Sequence, residues 1–292
     1  MRILSGKPVA DSLEPRLLER LSAFARSSGR APRLDVVLVG EDPASRLYVR
    51  NKQREAARLG IEARLHEFSA GAPASAVRAR VEQLNADPAV DGILIQRPLP
   101  KSFAPAEVAS WIDPAKDVDA FHPELIGRLA LGFPGLAPCT PSGIMAMLSH
   151  YGIDVAGKVA CVVGRSPIVG RPLSYMLLNA NASVIQCHSR TTNLESLASK
   201  SDLLFVAAGR PGLIGRGHVK PGAVVIDVGI HRLPDGMIAG DVRVAELSGH
   251  AGALSPVPGG VGPLTIFMLM QNVVAAAQAR LDTGRAGSVR TS

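Results

Sequence analysis

Aromatic residues make up only 4% of the 292-residue chain, with a single tryptophan. That supply of flat rings leaves little with which to stack nucleic-acid bases. The formal charge is +7, but the basic residues are interspersed with acids (Arg16, Glu19, Arg20; Arg50, Lys52, Arg54, Glu55) instead of gathered on one stretch. The excess of positive charge suits small polyanionic ligands better than a nucleic acid. Arg280, Arg285 and Arg290 fall in a Gly/Ser/Thr-containing tail expected to be a frayed end, not a binding arm. Cysteine is scarce too. Cys139, Cys161 and Cys187 are an odd number without a C-x-x-C pair, so neither a disulfide framework nor a metal site is expected, and the compartment reads as the reducing cytoplasm. No long apolar run occurs at the start, where Arg2, Lys7 and Asp11 intervene, and the most apolar late stretch, 264–277, contains Gln271 and Asn272. Neither a signal peptide nor a membrane span is expected.

What the chain does have is length and apolar content. At 47% hydrophobic it can bury a sizeable core, and its length favours two domains. Leu13, Leu17, Leu18 and Leu21 recur at helical spacing and predict a helix over 9–25. A strand is expected at 34–39, closed by Gly40. Asp42-Pro43 then supplies an N-cap followed by proline at the first helical position, with Gly60 as the stop. On that helix Ser45, Tyr48 and Lys52 share one face, Tyr48 and Lys52 being i, i+4 neighbours. Further strands are expected at 61–68 and Gly92–Ile95, with a helix at Ala74–Ala86 between them. Gln96 follows the second strand, just before Pro98 and Pro100, at the strand end where open α/β sheets hold ligands. It either orients a substrate or bonds its own loop. Asp113 to Asp119 reads as a solvated turn. After a Gly/Pro-rich loop at 132–141, a helix at 142–151 bridges to a second domain, and strands at Val159–Val163, Ser183–Cys187, 203–207 and 223–228 alternate with helix-length segments, the pattern of a doubly wound parallel sheet.

The turn after Val163 carries Gly164, Ser166 and Gly170, spaced G-x-S-x-x-x-G instead of the usual G-x-G-x-x-G. Its glycines allow the backbone to approach a pyrophosphate, and the helix beyond presents unpaired N–H groups to the anion. About 20 residues on, where an NAD site places an acid on the ribose, the chain has His188, Ser189 and Arg190. With no acid there, and with Arg165 inside the glycine turn, a 2′-phosphate would meet two cations, so NADP is expected over NAD. The alternative reading makes Arg190 a solvent-facing loop arginine and Arg165 a structural cap. Pro256 to Pro263 form a rigid Gly/Pro loop leading to an apolar terminal helix.

Several motifs, in order and across nearly the whole chain, resemble the bifunctional methylenetetrahydrofolate dehydrogenase/methenyltetrahydrofolate cyclohydrolase family. They are Pro43-Ala44-Ser45 with Tyr48-Val49 and Lys52; Asp91 to Gln96; Lys116-Asp117-Val118-Asp119; Pro138-Cys139-Thr140-Pro141; Gly164-Arg165-Ser166 with Val169-Gly170; Asp227-Val228-Gly229; and the Pro-Val-Pro-Gly-Gly-Val-Gly-Pro loop. The resemblance implies two α/β domains in a homodimer, the second a Rossmann-type doubly wound parallel sheet, with the active site in the interdomain cleft. It implies a folate-binding domain at 1–139, an NADP-binding domain at 140–265, and a final helix at about 266–285 that packs back on the first. Lys52 would then be the catalytic lysine, Gln96 its assistant, Tyr48 a stacking group for the folate and Asp119 a hydrogen-bonding partner of the pterin. Pro258, Gly259 and Gly260 would touch the tetrahydrofolate substrate, and Gly164, Arg165, Ser166, Ser189, Arg190 and Ile230 the cofactor. Two positions depart from the pattern: Ala120 stands where glycine is common, which could shift Asp119, and Arg97 where leucine is usual, which could alter the charge near Lys52. The rival expectation is another two-domain NADP-dependent dehydrogenase of a small keto or hydroxy acid, which would not need Tyr48, Lys52, Gln96 and Asp119 together.

Overall fold

The computed structural model describes residues 1–289, and the chain forms two compact units. One comprises Leu13–Gly127, Gly135–Ala137 and the chain from Ile266; the other comprises Met1–Ser12, Arg128–Pro134 and Pro138–Thr265. The division into compact units differs from a single cut at 139/140 in grouping the first twelve residues with the second unit. The reason is β1 (Arg2–Ile3), which pairs in the second unit's sheet before α1 (Gly6–Ser28) leads the chain into the first unit.

In the first unit, β2 (Arg33–Val39), α2 (Pro43–Leu59), β3 (Glu62–Phe68), α3 (Ala74–Ala86) and β4 (Gly92–Ile95) build a parallel sheet of order β3-β2-β4. The central strand is buried along its whole length, which is why its apolar residues run together instead of alternating. α2 has the boundaries its sequence signals call for: Asp42 Oδ2 accepts from the Ser45 N–H at 2.7 Å, and Gly60 closes the helix at φ 78°. Two short helices, α4 (Pro105–Ala109) and α5 (Pro123–Ala130), were not foreseen. Between them the stretch read as a solvated turn proves to be an anchor. Lys116 is 3% exposed, and its Nζ donates to the carbonyls of Leu84 and Asn85 in α3 and of Asp87 just beyond it. The Leu84 and Asn85 carbonyls are ones a helix end leaves without partners, while the Asp87 carbonyl also accepts from the Val90 N–H.

In the second unit, α6 (Cys139–His150) starts earlier than expected and is followed by β5 (Val159–Val163), α7 (Gly170–Asn179), β6 (Ser183–Cys187), α8 (Leu194–Ala198), β7 (Leu203–Val206) and β8 (Val224–Asp227). A hairpin of β9 (His231–Arg232) and β10 (Ile238–Ala239) precedes β11 (Ala253–Leu254). The sheet is six-stranded and parallel, of order β1-β11-β8-β7-β5-β6. Cys161, Val163, Leu204, Val206, Val225 and Leu254 are buried together in its core. All three cysteines are reduced and buried.

The last element, α9 (Val261–Val289), begins inside the Gly/Pro loop. It is long and apolar enough to cross a membrane, but Phe267, Leu269, Met270, Val273, Val274 and Ala276 are buried in the protein, so its apolar character is that of a core helix. Within the first unit Asn272 Nδ2 donates to the Val118 and Ala137 carbonyls at 2.8 and 2.9 Å. Arg280 is no part of a frayed end. It joins Arg30 and the Arg33 N–H on the carboxylate of Asp91, which is 1% exposed. The expectation for Arg290 lies outside the described residues.

Candidate active site

The register of α2 places Lys52 on its buried face, two turns beyond the Ser45 that closes the Asp42 cap. Lys52 is 7% exposed, and its Nζ donates to Gln96 Oε1 at 2.9 Å. Gln96 is itself fixed from two sides: its backbone N–H extends the sheet by donating to the Val37 carbonyl, and its Nε2 donates to the Arg97 carbonyl. With the amide hydrogen committed there, Oε1 is the atom turned to lysine. Strand end and helix face thus bring together the two residues that the family resemblance paired. Tyr48 stands one helical turn before Lys52, half-buried, and burial pushes its hydroxyl above the usual tyrosine range.

Asp119 is half-buried and lines a small cavity with Ile95 and Arg97, the residues on either side of Gln96, and with Asp117 and Phe121. Asp117, 2% exposed, accepts from the Ala120 and His122 N–H groups at 3.1 and 2.7 Å. Burial, and then the charge of Asp119, push its carboxyl up to about 7. The loop is so tight that Ala120 sits fully buried at φ 59°, the left-handed region in which glycine is at ease and alanine strained. Arg97 sends its guanidinium over the Phe121 ring, 5.5 Å from its centroid, and to the Pro105 carbonyl at 3.3 Å.

In the second unit the chain passes from β5 to β6 on one side and then crosses back over β5 to β7 on the other, and ligands of such sheets bind at that switch. A cleft of about 320 Å³ opens there. Gly164, Arg165 and Ser166 line it from the β5 turn, His188 and Ser189 from the end of β6, and Ala208 and Arg210 from the loop after β7. Gly164 is at φ 123°, and a Cβ on it would lie 2.1 Å from the Ala207 carbonyl oxygen, so only glycine fits. Ser166 Oγ accepts from the Val169 and Gly170 N–H groups at 3.2 and 3.3 Å, capping α7. The lining carries two guanidinium groups and, among the described residues, no carboxylate, which fits a phosphate-bearing dinucleotide. Arg190 and Ile230 are exposed and do not line this cleft. Pro258 and Gly259 are exposed and Gly260 is buried; the Gly259 carbonyl accepts from the Gly6 N–H at 2.8 Å, tying the loop to the start of α1.

The family model for the tetrahydrofolate dehydrogenase/cyclohydrolase catalytic domain matches residues 4–119, and that for the NAD(P)-binding domain of the same family matches residues 138–281. The chain belongs to this family. A bifunctional protein FolD 1 from Rubrobacter xylanophilus is 50% identical over 279 residues, 96% of this chain and 98% of the relative. The crystal structure of the bifunctional FolD enzyme, a methylenetetrahydrofolate dehydrogenase/cyclohydrolase, from Campylobacter jejuni superposes with a TM-score of 0.93 at 42% identity, covering 96% of this chain and 99% of the other. The FolD of Trypanosoma brucei, complexed with NADP cofactor and inhibitor, gives 0.90 at 34% identity over 95% and 97%. A shikimate dehydrogenase from Aquifex aeolicus, at 12% identity and 0.53, shares the fold alone. The chain is therefore an enzyme of the folate dehydrogenase/cyclohydrolase kind, and the reading as a dehydrogenase of a small keto or hydroxy acid is not favoured. In this family member the sequence missed Arg210, Asp241 and Gln186. Gln186 donates through Nε2 to the Val162 and Gly164 carbonyls and props the glycine turn from below. Arg210 was open to discovery, because it follows a strand beside the switch point.

Proposed function

We propose that this chain oxidises 5,10-methylenetetrahydrofolate with NADP and then hydrolyses the 5,10-methenyl product to 10-formyltetrahydrofolate. The observation that carries the reading is the buried Lys52 Nζ to Gln96 Oε1 hydrogen bond of 2.9 Å at a strand end, with Tyr48 one turn away. NADP, when bound, supplies an acceptor for a hydride. In that first step the hydride leaves the bridging carbon with its electron pair while a ring nitrogen's lone pair completes the C=N bond. No proton moves, so positioning by Tyr48 and Asp119 is what the protein contributes. In the second step water adds to the methenyl carbon and loses a proton, and the ring C–N bond breaks as its nitrogen is protonated. One group must take a proton and return it. Lys52 has this role, with Gln96 fixing its Nζ. Arg165 and Ser189 hold cofactor phosphate, with Gly164 and Ser166 shaping the turn, and Pro258 to Gly260 contact substrate. The reading includes a cytoplasmic homodimer, supported by the family resemblance and the cysteine usage.

Mixing the protein with methylenetetrahydrofolate and NADP should produce NADPH, seen by its absorbance, and 10-formyltetrahydrofolate, seen by chromatography. NADPH without the formyl product removes the second activity, and absence of both removes the reading.

A further inference from the structure

We propose that Arg210 is a phosphate-binding cation of the dinucleotide cleft and that the buried Asp241 carboxylate holds it in place. The proposal rests on the reading that a dinucleotide occupies this cleft. The sequence paired Arg165 with Arg190, but the second guanidinium on the cleft wall is that of Arg210, on the loop after β7. Its backbone is held with unusual completeness. The N–H groups of three consecutive residues converge on one fully buried carboxylate, Ala208 and Gly209 on Asp241 Oδ2 at 2.7 and 2.9 Å and Arg210 on Oδ1 at 2.9 Å. His231 Nε2 approaches the same Oδ1 at 2.6 Å, and the Asp241 N–H donates to the buried Asp227. A carboxylate so saturated has little capacity left to neutralise a guanidinium. Among the described residues the Arg210 side chain has no ion-pair partner. Arg210 is exposed, as Arg165 is, but a loop arginine with nothing to bind would need no such mounting. A cation presented from a fixed backbone toward a wall with Arg165 and no carboxylate is an arrangement for phosphate, which a planar guanidinium binds with two parallel hydrogen bonds.

The phosphate is either the 2′-phosphate or the pyrophosphate, and equilibrium binding separates the two. Isothermal titration of NADP, NAD and 2′,5′-ADP into wild type and Arg210→Gln should show NADP affinity reduced about tenfold, the loss expected for one charge-assisted contact. Arg210→Lys should recover part of it. A loss confined to NADP and 2′,5′-ADP assigns the 2′-phosphate, and an equal loss for NAD assigns the pyrophosphate. Asp241→Asn should weaken NADP binding as well, yet add little to Arg210→Gln in the double variant, because it acts through that side chain. Should Asp241→Asn not fold, Asp241→Glu, which keeps the charge but displaces the carboxylate from the three N–H groups by one methylene, provides the comparison. Circular dichroism of the unliganded proteins checks the fold. Wild-type NADP affinity in Arg210→Gln overturns the assignment; a wild type that binds neither dinucleotide overturns the functional reading beneath it.

Discussion

At the scale of single residues, the proposed site turns on which groups are buried with a partner. Lys52→Met keeps the length and apolar stem of the side chain but removes the atom that bonds Gln96. Hydrolysis of methenyltetrahydrofolate should fall by about 10²–10⁴-fold, the usual contribution of a positioned acid or base, while oxidation of the methylene compound stays measurable. Assaying the two half-reactions separately decides it, and hydrolysis at the wild-type rate sinks the role of Lys52. Ala120 is held at φ 59°, so Ala120→Gly should raise unfolding free energy by about 1 kcal/mol, the left-handed cost removed less the entropy glycine gains in the unfolded chain. Urea denaturation measures it, and a loss of stability contradicts the strain. Asp117, with its carboxyl raised to about 7 by burial and Asp119, titrates near 3.9 when unfolded. Between these values the folded protein keeps a proton that the unfolded chain releases, so this group's contribution to stability falls as pH rises from about 4 to 7. Unfolding free energies at pH 5 and 7.5 should show that decline in wild type and a flatter profile in Asp117→Asn.

Elements are ended and joined by side chains that the local sequence does not advertise. α3 stops where Lys116 reaches three carbonyls; burial and the charge of Arg280 lower its pKa to about 8, leaving it an ammonium at neutral pH. Lys116→Met should cost about 2–3 kcal/mol in urea unfolding, since hydrogen bonds from a charged donor are lost and buried carbonyls stay behind unpaired. A change under about 0.5 kcal/mol would mean that water replaces the lysine. The glycine turn shows the converse case. Gly164 is dictated by its φ and by the nearness of Ala207, both consequences of β7 lying beside β5, although the two strands are far apart in sequence.

At the scale of the whole molecule, each unit is assembled from separated pieces of chain, and ion pairs bind pieces together. Asp91 collects Arg30, Arg280 and the Arg33 N–H, so Asp91→Ala should lower the stability of the first unit by about 3–5 kcal/mol, the cost of stranding partly buried charges; urea unfolding followed by circular dichroism tests this, and a loss under about 1 kcal/mol would show the pairs to be dispensable. The sequence by itself determined the α/β class, the extents of α2, α3, β4, β5 and β6, and the likeness of Lys52, Gln96 and the glycine turn to a known enzyme. Those features are local: a cap, a proline, a glycine stop or an apolar run acts over a few residues, and i, i+4 spacing puts Tyr48 beside Lys52 in any helix. Only the tertiary structure decided that β1 joins the second unit's sheet, that Lys116 is a helix cap, that Arg210 and not Arg190 lines the cleft, and that Asp241 accepts from its backbone. Each of these depends on contacts between segments distant in sequence, whose strength is set by burial and by which partner groups the folded chain brings within hydrogen-bond reach.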